Sequence, residues 1–218
     1  PRSGAAYVFT FGGAAWSQSA KLTATDGAPY DQFGWCVAVS GDTAAVGALH
    51  DDDGATDAGS VYVFAAEGAA WSLRAKLTSP DARVGDQFGS AVALDGAMVV
   101  VGALGADGTG TNSGSAYVFQ TAPVRAPPVK LSPRDGASQG RFGGAVSIAE
   151  DFVVVGAGGA DIGSATDAGA AYVFEPFSTG WLQTAKLVAA DGAQGDAFGG
   201  AVALSGNQLL VGAAGCDG

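Results

Sequence analysis

The sequence predicts an all-β fold, and three observations predict it. Short aromatic and β-branched runs recur at fixed intervals, glycine- and aspartate-rich turns separate them, and no window carries a 3.6-residue apolar stripe of helix length. Phe-Gly stands at 33–34, 88–89, 142–143 and 198–199, in steps of 55, 54 and 56. Val-Gly-Ala (46–48, 101–103, 155–157, 211–213), Tyr-Val-Phe (7–9, 62–64, 117–119, 172–174) and Lys-Leu (21–22, 76–77, 130–131, 186–187) follow in the same order. Four markers in fixed order and near-fixed spacing define an internal repeat.

Each repeat reads as four strands. In the first whole unit, FGWCVAV (33–39) alternates at Val37 and Val39, and TAAVGA (43–48) follows a Ser-Gly-Asp turn. SVYVF (60–64) is aromatic and branched. WSLRAKL (71–77) places Trp71, Leu73 and Leu77 on one face. Four antiparallel strands per unit, arranged in series, describe a β-propeller blade. The first strands (35–39, 90–94, 144–148, 200–204) mix Gly and Ala with Val or Leu, which suits crowding at a propeller axis.

The chain starts with strands three and four and stops with strands one and two. The expectation is a single domain, 1–218, with units at about 33–87, 88–141, 142–197, and 198–218 plus 1–32. Pairing the N-terminal strands with the C-terminal strands would close four blades and leave no free sheet edge. The alternative is a fragment of a six- or seven-bladed propeller. The start at Pro1, without Met or leader, reads as a processed or excised segment.

Composition narrows the function. Apolar residues make up 48% and charged ones 14%, which argues against disorder. The 36 glycines have no collagen period and read as turn residues. A net charge of −11 repels phosphate backbones, which argues against nucleic acid as a partner. It suits a cation, a cationic partner or simple solubility. No apolar run has the length of a membrane helix. Cys36 and Cys216 are too few for a disulfide scaffold, and two separate thiols are the expectation over one bridge.

Phe-Gly, then Val-Gly-Ala, then a loop and Tyr-Val-Phe, resembles the FG-GAP repeat over essentially the whole chain. That family includes the propeller head of integrin α chains. The resemblance implies an extracellular or cell-surface module for binding or adhesion, generally without catalysis, with a protein or carbohydrate ligand. It also implies a monomer or part of a larger multidomain chain. Integrin-type repeats carry a calcium loop between the first two strands. Here those turns are SGDT (40–43), DGAM (95–98), AEDF (149–152) and SGNQ (205–208), without the spaced oxygens calcium needs.

The most acidic stretch is HDDDGATDAG (50–59), between strands two and three. Two readings stay open. One is turn chemistry, since an Asp and a later Gly recur in each unit, with Gly4, Gly59, Gly114 and Gly169 three residues before the Tyr. The other is calcium held by Asp51, Asp53 and Asp57. No other cofactor is expected.

A residue present in every unit reads as scaffold. The four Phe, Tyr and Lys fall in that class, the lysines laying aliphatic stems over a blade edge. Trp16, Trp71 and Trp181 read as outer-strand core. The departures from pattern are His50, Tyr30, Trp35, Arg83, Arg141 (read as replacing Asp31, Asp86 and Asp196) and the insert at 175–180. Gly-Ala-Ser-Gln-Gly (136–140) matches G-x-S-x-G, but no helix follows and the only His lies upstream. The three Glu, at 67, 150 and 175, have no recurring carboxylate partner for a glycosidase pair. No catalytic residues are assigned, the ligand-binding residues are unknown, and the expectation is a non-enzyme. A carboxylate-based glycan hydrolase and a structural spacer are the alternatives.

Overall fold

A computed structural model describes residues 3–68, 70–121, 126–178 and 180–217. The described residues contain sixteen strands and no helix. They are β1 (Ala6–Phe11), β2 (Trp16–Leu22), β3 (Phe33–Ser40), β4 (Thr43–Ala48), β5 (Ser60–Glu67), β6 (Ala70–Leu77), β7 (Phe88–Asp95), β8 (Met98–Ala103), β9 (Ser115–Gln120), β10 (Val129–Leu131), β11 (Ala145–Ala149), β12 (Phe152–Ala157), β13 (Ala170–Phe177), β14 (Gly180–Leu187), β15 (Phe198–Ser205) and β16 (Gln208–Ala213). Four residues of the irregular TAPVRAPP stretch, 122–125, lie outside the described residues, as do Ala69 of the EGAA turn and Thr179 of the insert at 175–180.

Three four-stranded antiparallel meanders form, β3–β6, β7–β10 and β11–β14, with two-stranded sheets β1–β2 and β15–β16 before and after them. Register repeats from sheet to sheet: Val46 faces Tyr62, Val101 faces Tyr117, and Val155 faces Tyr172. The first strands lie side by side, β3 on β7, β7 on β11 and β11 on β15, as innermost strands of propeller blades do.

Consecutive sheets bury their apolar surface between them. Val61, Val63 and Leu77 of one sheet meet Phe88, Val99 and Tyr117 of the next. Val100, Val118 and Leu131 meet Phe142, Val153 and Tyr172 in the same way. Inside each complete sheet the Phe at the start of the unit sits against the Tyr and Phe of the third strand, with Phe33–Tyr62, Phe88–Tyr117 and Phe142–Tyr172 centroids 5.3, 5.5 and 5.5 Å apart. Aromatic pairs at this separation add about 1 kcal/mol beyond their area.

The expected join of the C-terminal pair to the N-terminal pair is not made in this structure. β1–β2 and β15–β16 remain separate sheets. Tyr7 and Phe9 are each 53% exposed, whereas their counterparts Tyr62 and Phe64 are 0% and 5% exposed. Trp16, expected in the core, is 69% exposed because, among the described residues, no sheet lies against it as β1–β2 lies against Trp71 and β7–β10 against Trp181. Trp71 and Trp181, in complete sheets, do pack on core clusters. Both cysteines are free. Cys36 is wedged against the Gly89 carbonyl, and burial pushes its thiol up to about 12.

Sheet joins sheet through backbone. Gly114 and Phe142 form an isolated parallel bridge, repeated at Gly4–Phe33 and Gly169–Phe198. Gly114 has φ +82°, and a Cβ there would lie 2.0 Å from the Phe142 carbonyl oxygen. Gly96, in a hairpin turn with φ +53°, has open space around it. Gly114→Ala therefore adds collision to strain and is expected to cost more than about 3 kcal/mol in a urea titration. Gly96→Ala is expected to cost only about 1 kcal/mol in the same measurement.

Candidate functional site

An antiparallel meander sends its connections to two ends. The hairpins joining strands one to two and three to four leave from one end. The long loops between strands two and three, and those leading to the next sheet, gather at the other. All aspartates except Asp42, Asp95 and Asp151 lie in this second set of loops. It is the acidic face of the protein and its candidate binding surface.

Its backbone is tied down. Gly85, Gln87 and Phe88 donate N–H to the carbonyls of Thr56, Asp57 and Ala58. Gln139, Arg141 and Phe142 do the same to Thr111, Asn112 and Ser113, and Gly195, Ala197 and Phe198 to Thr166, Asp167 and Ala168. Each loop between strands two and three is thus laced to the segment leading into the next sheet.

The side chains of these loops build their own turns. Asp52, Asp107 and Asp161 accept the N–H groups of Asp57, Asn112 and Asp167 at 2.8, 2.9 and 2.9 Å. The donors adopt φ of 53°, 49° and 52°, which Asn and Asp tolerate better than most residues. In the adjacent segments Asp31, Asp86 and Asp196 are buried and cap the N–H groups of Ala28, Arg83 and Ala193. Burial raises the Asp31 and Asp86 carboxyls. The structural register places Gly140, not Arg141, at this aspartate position. Arg141 matches Gln32, Gln87 and Ala197, which share its positive φ immediately before the Phe.

A second set of aspartates forms polar stations inside each sheet. Asp81, just ahead of β7, accepts the Tyr117 hydroxyl at 2.7 Å and the Lys130 ammonium at 2.6 Å. Lys130 Nζ also sits 5.5 Å from the Tyr117 ring centroid. Asp135 takes Lys186 at 2.5 Å, and Lys186 lies over Tyr172. Asp26 accepts both Tyr62 and Lys76 at 2.8 Å. The lysines therefore act through their charged heads as well as their stems. Burial works to raise the Asp81 carboxyl, but hydrogen bonds from Lys130, Tyr117 and Ser79 outweigh it and bring it down to about 2.

The first station differs. Asp51 is buried where the other repeats have Ala106, Ala160 and Cys216, and it lies 2.8 Å from the Lys76 ammonium and 2.8 Å from the Tyr62 hydroxyl, whose single proton it shares with Asp26. Asp53 also pairs with Lys76. Of the three aspartates named for calcium, Asp51 and Asp53 thus converge on an ammonium that already stands among them. Asp57 is turned to His50, whose Nδ1 lies 2.8 Å from its carboxylate. Among the described residues no group of three or more His, Cys, Asp or Glu is arranged to hold a metal ion. Burial works to lower the Lys76 pKa, and its hydrogen bonds to Asp26, Asp51 and Asp53 turn the balance upward.

This geometry recurs with the Phe-Gly, Val-Gly-Ala and Tyr-Val-Phe markers, and the FG-GAP repeat model matches residues 16–64, 71–119, 128–174 and 181–218. The chain belongs to the FG-GAP repeat family. No curated protein matches it. The other departures from the FG-GAP pattern scatter across the surface. Tyr30 is exposed on a loop, Trp35 donates to the Ser90 carbonyl at 3.2 Å, and Gly136 to Gly140 form turns with no helix after them. Sequence reasoning missed the stations, although a signal was present. Asp26, Asp81, Asp135 and Asp191 recur in the same steps of 55, 54 and 56 as Phe-Gly, each seven residues before the Phe.

A carboxyl held below its ordinary 3.8 stabilises the fold at neutral pH and loses that contribution as pH falls from 3.8 to about 2. Asp81→Asn should lower stability at pH 7 and flatten its decline across that acid range. Asp86, raised by burial, acts in the opposite sense. Acid titration followed by tryptophan fluorescence checks this, and an unchanged slope would show that the station contributes nothing. Calcium followed by chelator is expected to leave the thermal midpoint unmoved. A site filled to 100 times its dissociation constant would add about 2.7 kcal/mol, so a clear rise on adding calcium would show that Asp51 and Asp53 take the ion despite Lys76.

Proposed function

We propose that the chain is a non-catalytic binding or adhesion module, at the cell surface or outside the cell, that offers its acidic loop face to a protein or carbohydrate partner. The observation that carries this is a surface whose backbone is laced in place while its loop side chains differ from repeat to repeat. The first loop carries Asp52, Asp53 and Asp57, the second Asp107 and Asn112, and the third Asp161 and Asp167. The charge favours a basic protein surface, because exposed carboxylates steer cationic partners and repel anionic ones.

Membership of a family of generally non-catalytic repeats supports this reading. The aspartates with shifted pKa recur from sheet to sheet and are engaged in turns and stations. Immobilised protein is expected to bind a lysine-rich peptide but not heparin, with affinity falling as salt rises. Asp52→Asn with Asp107→Asn, which keeps both turn hydrogen bonds, should weaken that binding without lowering the unfolding midpoint. Equal capture of peptide and heparin would sink the reading, and so would turnover in a glycan panel.

A further inference from the structure

One cleft on the loop face is lined by side chains that the fold does not use. It lies where the loops of the β7–β10 and β11–β14 sheets meet, has a volume of about 320 Å³, and is lined by Gln87, Leu104, Gly105, Asn112, Gln139 and Arg141. That volume falls at the lower end of the range for small-molecule sites, about 300–1,000 Å³. The backbone around it is committed. Gln87, Gln139 and Arg141 donate their N–H groups to the carbonyls of Asp57, Thr111 and Asn112, and Asn112 donates its own to Asp107. The same four residues hold positive φ, from 49° at Asn112 to 66° at Gln139. Their side chains are not committed. Among the described residues none of the four makes a side-chain hydrogen bond or an ion pair. The aspartates of this face, by contrast, are engaged in turns and stations.

The cleft depends on residues that the neighbouring repeats replace. Gly105 donates its N–H to the Asp86 carbonyl as His50 does to that of Asp31, so His50 stands at the same position in the β3–β6 sheet. Asp57 stands there in place of Asn112, and its carboxylate lies 2.8 Å from the His50 imidazole. In the β11–β14 sheet Asp167 takes the place of Asn112. Between these two acidic loops, three amides and a guanidinium line one opening, and none of the described residues lining it carries a carboxylate.

In that set N–H donors well outnumber acceptors, which suits a ligand rich in oxygen. A guanidinium holds a carboxylate through two parallel N–H bonds. Asn and Gln amides meet hydroxyls as donor and acceptor at once. Leu104 adds an apolar contact for the C–H face of a ring. The carboxylates outside the cleft repel a polyanion, so a ligand with a single carboxylate is favoured. We propose that this cleft binds a sugar acid, a single uronic-acid residue with its carboxylate on Arg141 and its hydroxyls on Gln87, Asn112 and Gln139. The proposal rests on the loop face being a binding surface, and it adds a ligand of the charge that the face as a whole repels. Because the backbone is already fixed, binding has only side chains to order.

Calorimetric titration with galacturonate and glucuronate tests this, with galactose, acetate and heparin as comparisons at one ionic strength. A sugar acid is expected to bind at millimolar concentration, galactose and acetate about tenfold more weakly, the worth of one charge-assisted hydrogen bond, and heparin not at all. Arg141→Gln, which installs the side chain that Gln32 and Gln87 carry at this position, should weaken sugar-acid binding about tenfold or more. Asn112→Asp should do the same, because it sets a carboxylate beside Arg141 while keeping a residue that tolerates positive φ. Neither substitution should move the thermal midpoint, since neither side chain is engaged in the fold. Both variants should still capture the lysine-rich peptide, so failure of this cleft is distinct from failure of the acidic face. Absence of sugar-acid binding at millimolar concentration overturns the proposal. So does binding no tighter than that of acetate, or binding that survives both substitutions.

Discussion

The structure depends on one backbone contact between sheets. The glycine three residues before each tyrosine meets the phenylalanine that begins the next sheet, so closely that a Cβ at Gly59 would stand 2.1 Å from the Phe88 carbonyl oxygen. At that distance the two main chains share hydrogen bonds, as Phe88 N–H to Ala58 O at 2.8 Å shows. The approach sets the spacing at which Phe88 reaches Tyr117 and Phe119. It also brings the loops of one sheet against the segment entering the next.

The polar stations follow from that geometry. A tyrosine on the third strand is buried, and its hydroxyl needs a partner in a place water does not reach. The aspartate ahead of the first strand supplies one, and the lysine on the fourth strand balances the aspartate. Three groups far apart in sequence thereby satisfy one another, and an acidic face gains a cation at each station. In the first sheet two more carboxylates join, and Lys76 serves all of them.

Much of this was legible from the chain alone. The spacing of Phe-Gly and Tyr-Val-Phe predicted the strands and their order, since period-two alternation and turn residues act locally. Turn chemistry in the acidic loops was one of two readings the chain left open, and the structure identifies Asp52, Asp107 and Asp161 as the residues that accept the turn N–H groups. The stations were not legible, because Asp81 and Tyr117 belong to different local patterns and only the sheet brings them together. The assignment of Arg141 to an aspartate position slipped by one residue. Positive φ at Gln32, Gln87, Arg141 and Ala197 shows the true alignment, and a backbone angle leaves little trace in residue type.

By itself the sequence determined the repeat, the four strands of each unit and the residues that turn the chain between them. Those depend on periodicity and on the conformational limits of Gly, Asp and Asn, which act over a few residues. Tertiary structure decided which charges pair, among them Asp26, Asp51 and Asp53 with Lys76, and which side chains meet between consecutive sheets. These outcomes depend on distances across sheets, which no spacing along a chain can state.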